Sequence, residues 1–88
     1  MYERTVTISN TLGLHARPAA LMVQTIYKYK SEVHITKDSI SANGRSIMSV
    51  LMLAAEPGSQ ITIVAKGDDE VEVVNALIQL IENRFFED

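Results

Sequence analysis

"PAALMVQTIYKY", residues 18–29, sets Ala19, Met22, Val23 and Ile26 at i, i+3, i+4 and i+7, the spacing of one face of a helix. Gln24, Thr25 and Lys28 fall on the other side and face water. The segments on either side have a different period. Tyr2 to Ser9 alternates, with Arg4, Val6 and Ile8 on one side and Thr5, Thr7 and Ser9 on the other. "EVHITK", residues 32–37, alternates again with Val33 and Ile35 inward, and "SISA" follows a Lys37-Asp38 turn to make a hairpin. A helical period held between strand periods predicts a mixed α+β domain.

The second half continues the alternation of helical and strand periods without an internal repeat. Asn43-Gly44 ends the hairpin, Ser46 stands in an N-cap position, and "SIMSVLMLAA" predicts a short helix ending before Pro57-Gly58. "QITIVAKG" places Ile61, Ile63 and Ala65 on one face of a fourth strand. Asp69 followed by Glu72 predicts a capping box for a last helix, along which Val73, Val74, Leu77, Leu80 and Ile81 recur at helical spacing. The order is β-α-β-β-α-β-α, an antiparallel or mixed sheet covered by helices on one face and open to solvent on the other.

At 88 residues the chain has the size of one domain with one modest core, and the 47% of hydrophobic residues spread along it exclude a disordered tail. A net charge of −3 without a cluster of Lys and Arg argues against nucleic acid as a partner and favours protein. Without cysteine there is no disulfide framework and no thiolate metal site. "MYERTVTIS" carries no cationic segment followed by an apolar run, and no apolar stretch approaches the ~20 residues that cross a bilayer. The expectation is a soluble, unprocessed, cytoplasmic protein with no membrane insertion.

"GLHARPAA", residues 13–20, puts a histidine and an arginine at the mouth of the first helix. A helix start leaves backbone N–H groups without intrahelical partners and carries partial positive charge, which suits an anion. Pro18 has no N–H, so the donors nearest His15 are the amides of Ala16 and Arg17, and the Arg17 guanidinium adds a planar fork matched to phosphate oxygens. The same field disfavours the imidazolium, so His15 is expected neutral and able to attack through a ring nitrogen. Read alone, these residues leave a solvated or capping His15 open. His34 lies mid-strand and, by alternation, faces away from the core as a surface residue. Two histidines on separate elements make no metal site, and no cofactor is implied.

The short helix carries more apolar surface than a core needs. Ile47, Val50, Leu51 and Ala54 form the stripe expected to be buried, yet Met48 and Met52 add a second row at i, i+4. An exposed methionine row suits a surface that accepts several protein partners. Ser46 caps this helix, where a phosphate is tolerated by the dipole and places charge beside the apolar row.

Taken together, "GLHARPAA", "RSIMSVLMLAA" (45–55) and "GDDE" (67–70) resemble the HPr family, the histidine-containing phosphocarriers of the bacterial phosphoenolpyruvate:sugar phosphotransferase system, over essentially the whole chain. The resemblance implies one domain spanning 1–88, an open-faced β-sandwich with a four-stranded antiparallel sheet and three helices on one face. It implies that His15 accepts a phosphoryl group on Nδ1 from phosphorylated enzyme I and passes it to enzyme IIA proteins, assisted by Arg17 and the amides of Ala16 and Arg17. Ile47, Met48 and Leu51 fall where the family docks partners. Ser46 matches a regulatory serine phosphorylated in some lineages by an HPr serine kinase/phosphorylase, which favours binding to a catabolite-control transcriptional regulator. Arg45 stands where lysine is usual and Ser49 where glycine is common. Such a protein is a carrier rather than an enzyme, and is expected to be a monomer. The alternatives are an HPr-like regulatory module, in nitrogen control or catabolite repression, that acts by binding partners, and an unrelated βαββαβ sensor domain.

Overall fold

A computed structural model describes residues 1–87. Its elements run β1 (Tyr2–Thr7), α1 (Ala16–Ile26), β2 (Glu32–Lys37), β3 (Ile40–Asn43), α2 (Ile47–Leu51), β4 (Gln60–Lys66) and α3 (Glu70–Glu82), followed by a tight turn at Arg84–Phe86. The sheet is antiparallel throughout in the order β1-β4-β2-β3. β4 is therefore central, and its Ile61, Ile63 and Ala65 are all buried with Val33 and Ile35 of β2. Ala19, Met22, Val23 and Ile26 of α1 and Val73, Val74, Leu77 and Ile81 of α3 close the same core. The open face is lined by the other alternation: Thr5 and Thr36 both pair with Thr62, and the Thr5 and Thr62 hydroxyls lie 2.9 Å apart. No helix among the described residues is long and apolar enough to cross a membrane.

The first strand stops at Thr7 rather than Ser9. Arg4 lies opposite Ile63 on the covered face, as its alternation requires, yet it is exposed. β1 is an edge strand, so Arg4 can reach out over the Tyr2 ring, 4.2 Å from its centroid, and donate to the Glu3 carbonyl. The first helix begins two residues before Pro18 and ends before Tyr27, earlier than the expected Tyr29. Its tail tightens into i→i+3 hydrogen bonds, from Lys28 N–H to the Thr25 carbonyl and from Tyr29 N–H to that of Ile26. The Arg45 guanidinium then takes the Tyr29 and Ser31 carbonyls at 2.9 and 3.1 Å.

α2 is shorter than the expected 46–55. The backbone leaves the helix at Met52, and Ala54 takes a φ of 50°, so the helical spacing from Val50 to Ala54 breaks down. Val50 is buried as expected, but Leu53 and Ala55 complete the core in place of Ile47 and Ala54, which are exposed, and Leu51 is half-buried.

The capping box at Asp69 is not formed. Asp69 is the N-cap of α3, but its side chain makes no cap hydrogen bond. Its carboxylate instead crosses the fold to accept the Lys30 and Ser31 amides, each at 2.9 Å, and the Ser31 hydroxyl. Glu70 holds the Gly67 amide at 3.1 Å. The Ser31 hydroxyl and then the Lys30 amide hold the Asp69 carboxyl below the usual carboxylate range, against a smaller opposing effect of burial. A carboxyl depressed in the folded state stabilises above its unfolded value, and that contribution is lost as pH falls through the folded one. Asp69→Ala is therefore expected to melt lower than the wild type at neutral pH, with the gap closing in acid; thermal melts across that range check it, and a gap unmoved by acid would show that the charge does not hold this loop.

Candidate functional site

The loop between β1 and α1 is built by close contacts of its backbone. Asn10 is fully buried, and its amide donates to the Gly13 carbonyl at 2.8 Å. Gly13 has a φ of 69°, and a Cβ there would lie 2.3 Å from the Ala55 carbonyl oxygen. Only glycine meets both demands. The next amide, that of Leu14, donates to the same Ala55 carbonyl at 2.9 Å, tying the loop to the segment that follows α2.

His15 is then the N-cap of α1. Its backbone is extended, at φ −83° and ψ −169°, and its carbonyl accepts the first helical hydrogen bond from the Ala19 amide at 3.1 Å. Pro18 occupies the third helical position without breaking the ladder. The amides of Ala16 and Arg17 have no acceptor among the described residues, so two donors stand free at the positive end of an 11-residue helix beside the histidine.

The C-terminal turn completes the site, and no local pattern in the sequence points to it. Arg84, Phe85 and Phe86 have φ of 52°, 54° and 57°, a left-handed run that costs L-residues about 1–2 kcal/mol each. Phe85 is buried, and its carbonyl accepts from Arg17 Nη1 at 2.8 Å. Glu87 is thereby folded back over His15. One carboxylate oxygen accepts from the Asn10 amide at 2.9 Å, and the other lies 2.8 Å from His15 Nε2 and 3.7 Å from Arg17 Nη1. The His15 side chain is 35% exposed and that of Glu87 only 18%. Nδ1 has no hydrogen-bond partner among the described residues. The Glu87 carboxylate sets a negative group against the helix field, so that field is not the only influence on the ring.

His34 is exposed on β2, 3.7 Å from Glu32, as its alternation required. Among the described residues no three His, Cys, Asp or Glu side chains come together as a metal-ligand set. Ser46 caps α2, its hydroxyl accepting the Ser49 amide at 3.2 Å. Ile47, Met48 and Met52 project from α2 into solvent, Met48 at 68% and Met52 at 72% exposed, with Leu51 half-buried between them and the core. α2 packs on α1, and the Leu14–Ala55 hydrogen bond joins its trailing end to the His15 loop. The residues missed by sequence reasoning are Asn10, Phe85 and Glu87. Asn10 lies in the turn-like "NTLG", but Glu87 lies 72 positions from His15, and no local pattern announces such a pair.

A family model for the phosphorylation site of the phosphotransferase-system HPr component matches residues 2–83. The phosphocarrier protein HPr of Treponema pallidum is 41% identical over 88 residues, the full length of both chains. The HPr-like protein Crh of Halalkalibacterium halodurans is 45% identical over 82 residues, 93% of this chain and 98% of that one. Among solved structures, HPr of Thermoanaerobacter tengcongensis superposes with a TM-score of 0.96 at 45% identity, covering 100% of this chain and 99% of the other. The chain is thus of the phosphocarrier class, proteins that hold a phosphoryl group in transit rather than enzymes that turn over a substrate. It belongs to the HPr family of the phosphotransferase system.

The Gly13 contact supplies a direct check on how the site is held. Gly13→Ala must either push Ala55 away or break the left-handed loop, and is expected to destabilise by about 1–3 kcal/mol, the range of overpacking a tight site. Denaturant unfolding measures it; an unchanged midpoint would mean that the loop can leave Ala55 freely.

Proposed function

We propose that His15 is the residue that carries the phosphoryl group, taking it from phosphorylated enzyme I on Nδ1 and passing it to enzyme IIA proteins in sugar uptake. The observation that carries this reading is the disposition around the ring: Nε2 is held by Glu87, and among the described residues Nδ1 has no partner and the amides of Ala16 and Arg17, at the start of the same helix, have no acceptor. Those amides and the remaining guanidinium donors of Arg17 neutralise the incoming phosphoryl oxygens. Ile47, Met48 and Leu51 form the surface on which successive partners dock, and Ser46, beside it, takes a regulatory phosphate from a serine kinase. The charge so added opposes docking of enzyme I and, in a host that has one, favours a catabolite-control regulator. The protein acts in the cytoplasm as a single domain over 1–88 and as a monomer, because each transfer requires the His15 surface to be open to the next partner. Nucleic acid and membrane are not partners in this reading.

A second reading, an HPr-like module that regulates by binding, draws on the 45% identity with Crh of Halalkalibacterium halodurans. Incubation with phosphoenolpyruvate and enzyme I separates the two. The carrier is expected to gain one acid-labile phosphoryl group, mapped to His15 by peptide mass and removed by an enzyme IIA, while His15→Ala gains none and melts within a few degrees of the wild type. No adduct on a folded wild-type protein would leave the regulatory module. Ser46→Asp is expected to slow uptake from enzyme I severalfold without lowering the melting temperature, and an unaltered rate would remove the regulatory role of Ser46.

A further inference from the structure

The Glu87 carboxylate lies against a ring nitrogen that carrying phosphate on Nδ1 does not use, and the backbone goes through three left-handed residues to bring it there. Resting on the carrier reading above, we propose that Glu87 is a positioning residue for His15: it keeps a proton on Nε2 through the whole cycle of uptake and release.

That proton decides the charge on the ring when it leaves phosphorus. In uptake, the Nδ1 lone pair forms a bond to phosphorus as the donor's bond to phosphorus breaks and its electron pair leaves with the donor. The ring, still protonated on Nε2, becomes a phosphoimidazolium, and its positive charge faces the Glu87 carboxylate 2.8 Å away. In release, the Nδ1–P bond breaks, the electron pair returns to Nδ1, and the ring departs as neutral imidazole. No proton enters or leaves at either step. Were Nε2 unprotonated, the leaving group would be an imidazolate anion, and the phosphoryl group would be trapped on the protein. The carboxylate is an acceptor with no proton of its own to donate, so it selects the Nε2–H tautomer and leaves Nδ1 as the nucleophile.

The surroundings fix Glu87 in this role. The buried Asn10 amide holds the other carboxylate oxygen, and Asn10 also holds the Gly13 carbonyl two residues before His15. Arg17 grips the Phe85 carbonyl, and buried Phe85 anchors the turn. One set of contacts thus sets both the ring and its orienting carboxylate, as an oriented histidine requires.

The test uses the full-length protein with 15N-labelled histidine, and the variants Glu87→Ala and Glu87→Gln. In the wild type an Nε2–H proton protected from solvent exchange is expected for His15 by NMR. Glu87→Ala should lose that signal and release phosphoryl to an enzyme IIA about ten- to a hundredfold more slowly, the scale of one charge-assisted hydrogen bond. Glu87→Gln, which keeps an acceptor oxygen and the shape but not the charge, should retain the signal and fall between the two in rate, with His15 still the labelled residue in all three. Release rates within twofold of wild type in both variants, or a protected Nε2–H in Glu87→Ala, would overturn the role of Glu87 while leaving His15 as the carrier. A wild-type protein that takes no phosphoryl group on His15 would overturn both.

Discussion

The close approach of Gly13 to the Ala55 carbonyl is the constraint on which the site depends. It admits no side chain at position 13, and the same carbonyl receives the Leu14 amide, so the loop is held at a fixed height over the segment leaving α2. Two consequences follow from this one contact. His15 enters α1 in an extended conformation as its N-cap, which frees the amides behind it. The apolar residues of α2 are also fixed relative to the histidine, so docking on Ile47, Met48 and Leu51, as proposed, would bring a partner to the His15 loop in a constant geometry. In HPr proteins, where a phosphoryl group must pass between proteins, such fixed placement replaces the binding pocket that an enzyme would need.

Periodicity disclosed most of the fold. The α1 face, the β4 face and the α3 stripe are made of residues whose burial follows from spacing alone, and each is buried as that spacing requires, except Leu80, which is half-buried. What periodicity could not disclose was where the pattern stops. In α2 the spacing from Val50 to Ala54 requires a helix that continues to Ala55, but the helix ends at Leu51 with Met52 as its C-cap, and Leu53 and Ala55 turn inward instead. At Arg4 the period holds, yet the residue is exposed on the covered face, because the strand order makes β1 an edge. At Asp69 the local motif competed with a distant one. Three donors from the Lys30–Ser31 loop satisfy the carboxylate better than the helix amides could, and no window of sequence contains both groups.

The functional site divides along the same line. His15, Arg17 and the helix start lie within a few residues of one another, so their chemistry could be read directly from "GLHARPAA". Glu87, Asn10 and Phe85 are joined to them only by the folded chain. Their omission alters the electrostatics, since the expectation of a neutral His15 rested on the helix field alone. With Glu87 in place the two ends of the ring have different environments. Nε2 faces a carboxylate withdrawn from water, while the free amides of the two residues that follow His15 at the start of α1 suit an anion.

The C-terminal turn is held there against its own backbone preference. Three left-handed residues together cost about 3–6 kcal/mol at about 1–2 kcal/mol each. Burial of the Phe85 ring contributes about 1.5–3 kcal/mol, which does not fully offset that cost. The balance comes from the hydrogen bonds that Arg17, Asn10 and His15 make with the segment, at about 0.5–1.5 kcal/mol each. The turn is thus held by the site it covers as well as by the burial of its own Phe85. In the proposed carrier Arg17 keeps Nη1 on the Phe85 carbonyl and offers its other donors to phosphate, so that Arg17, Phe85 and Asn10 together keep Glu87 on Nε2 while the phosphoryl group is held.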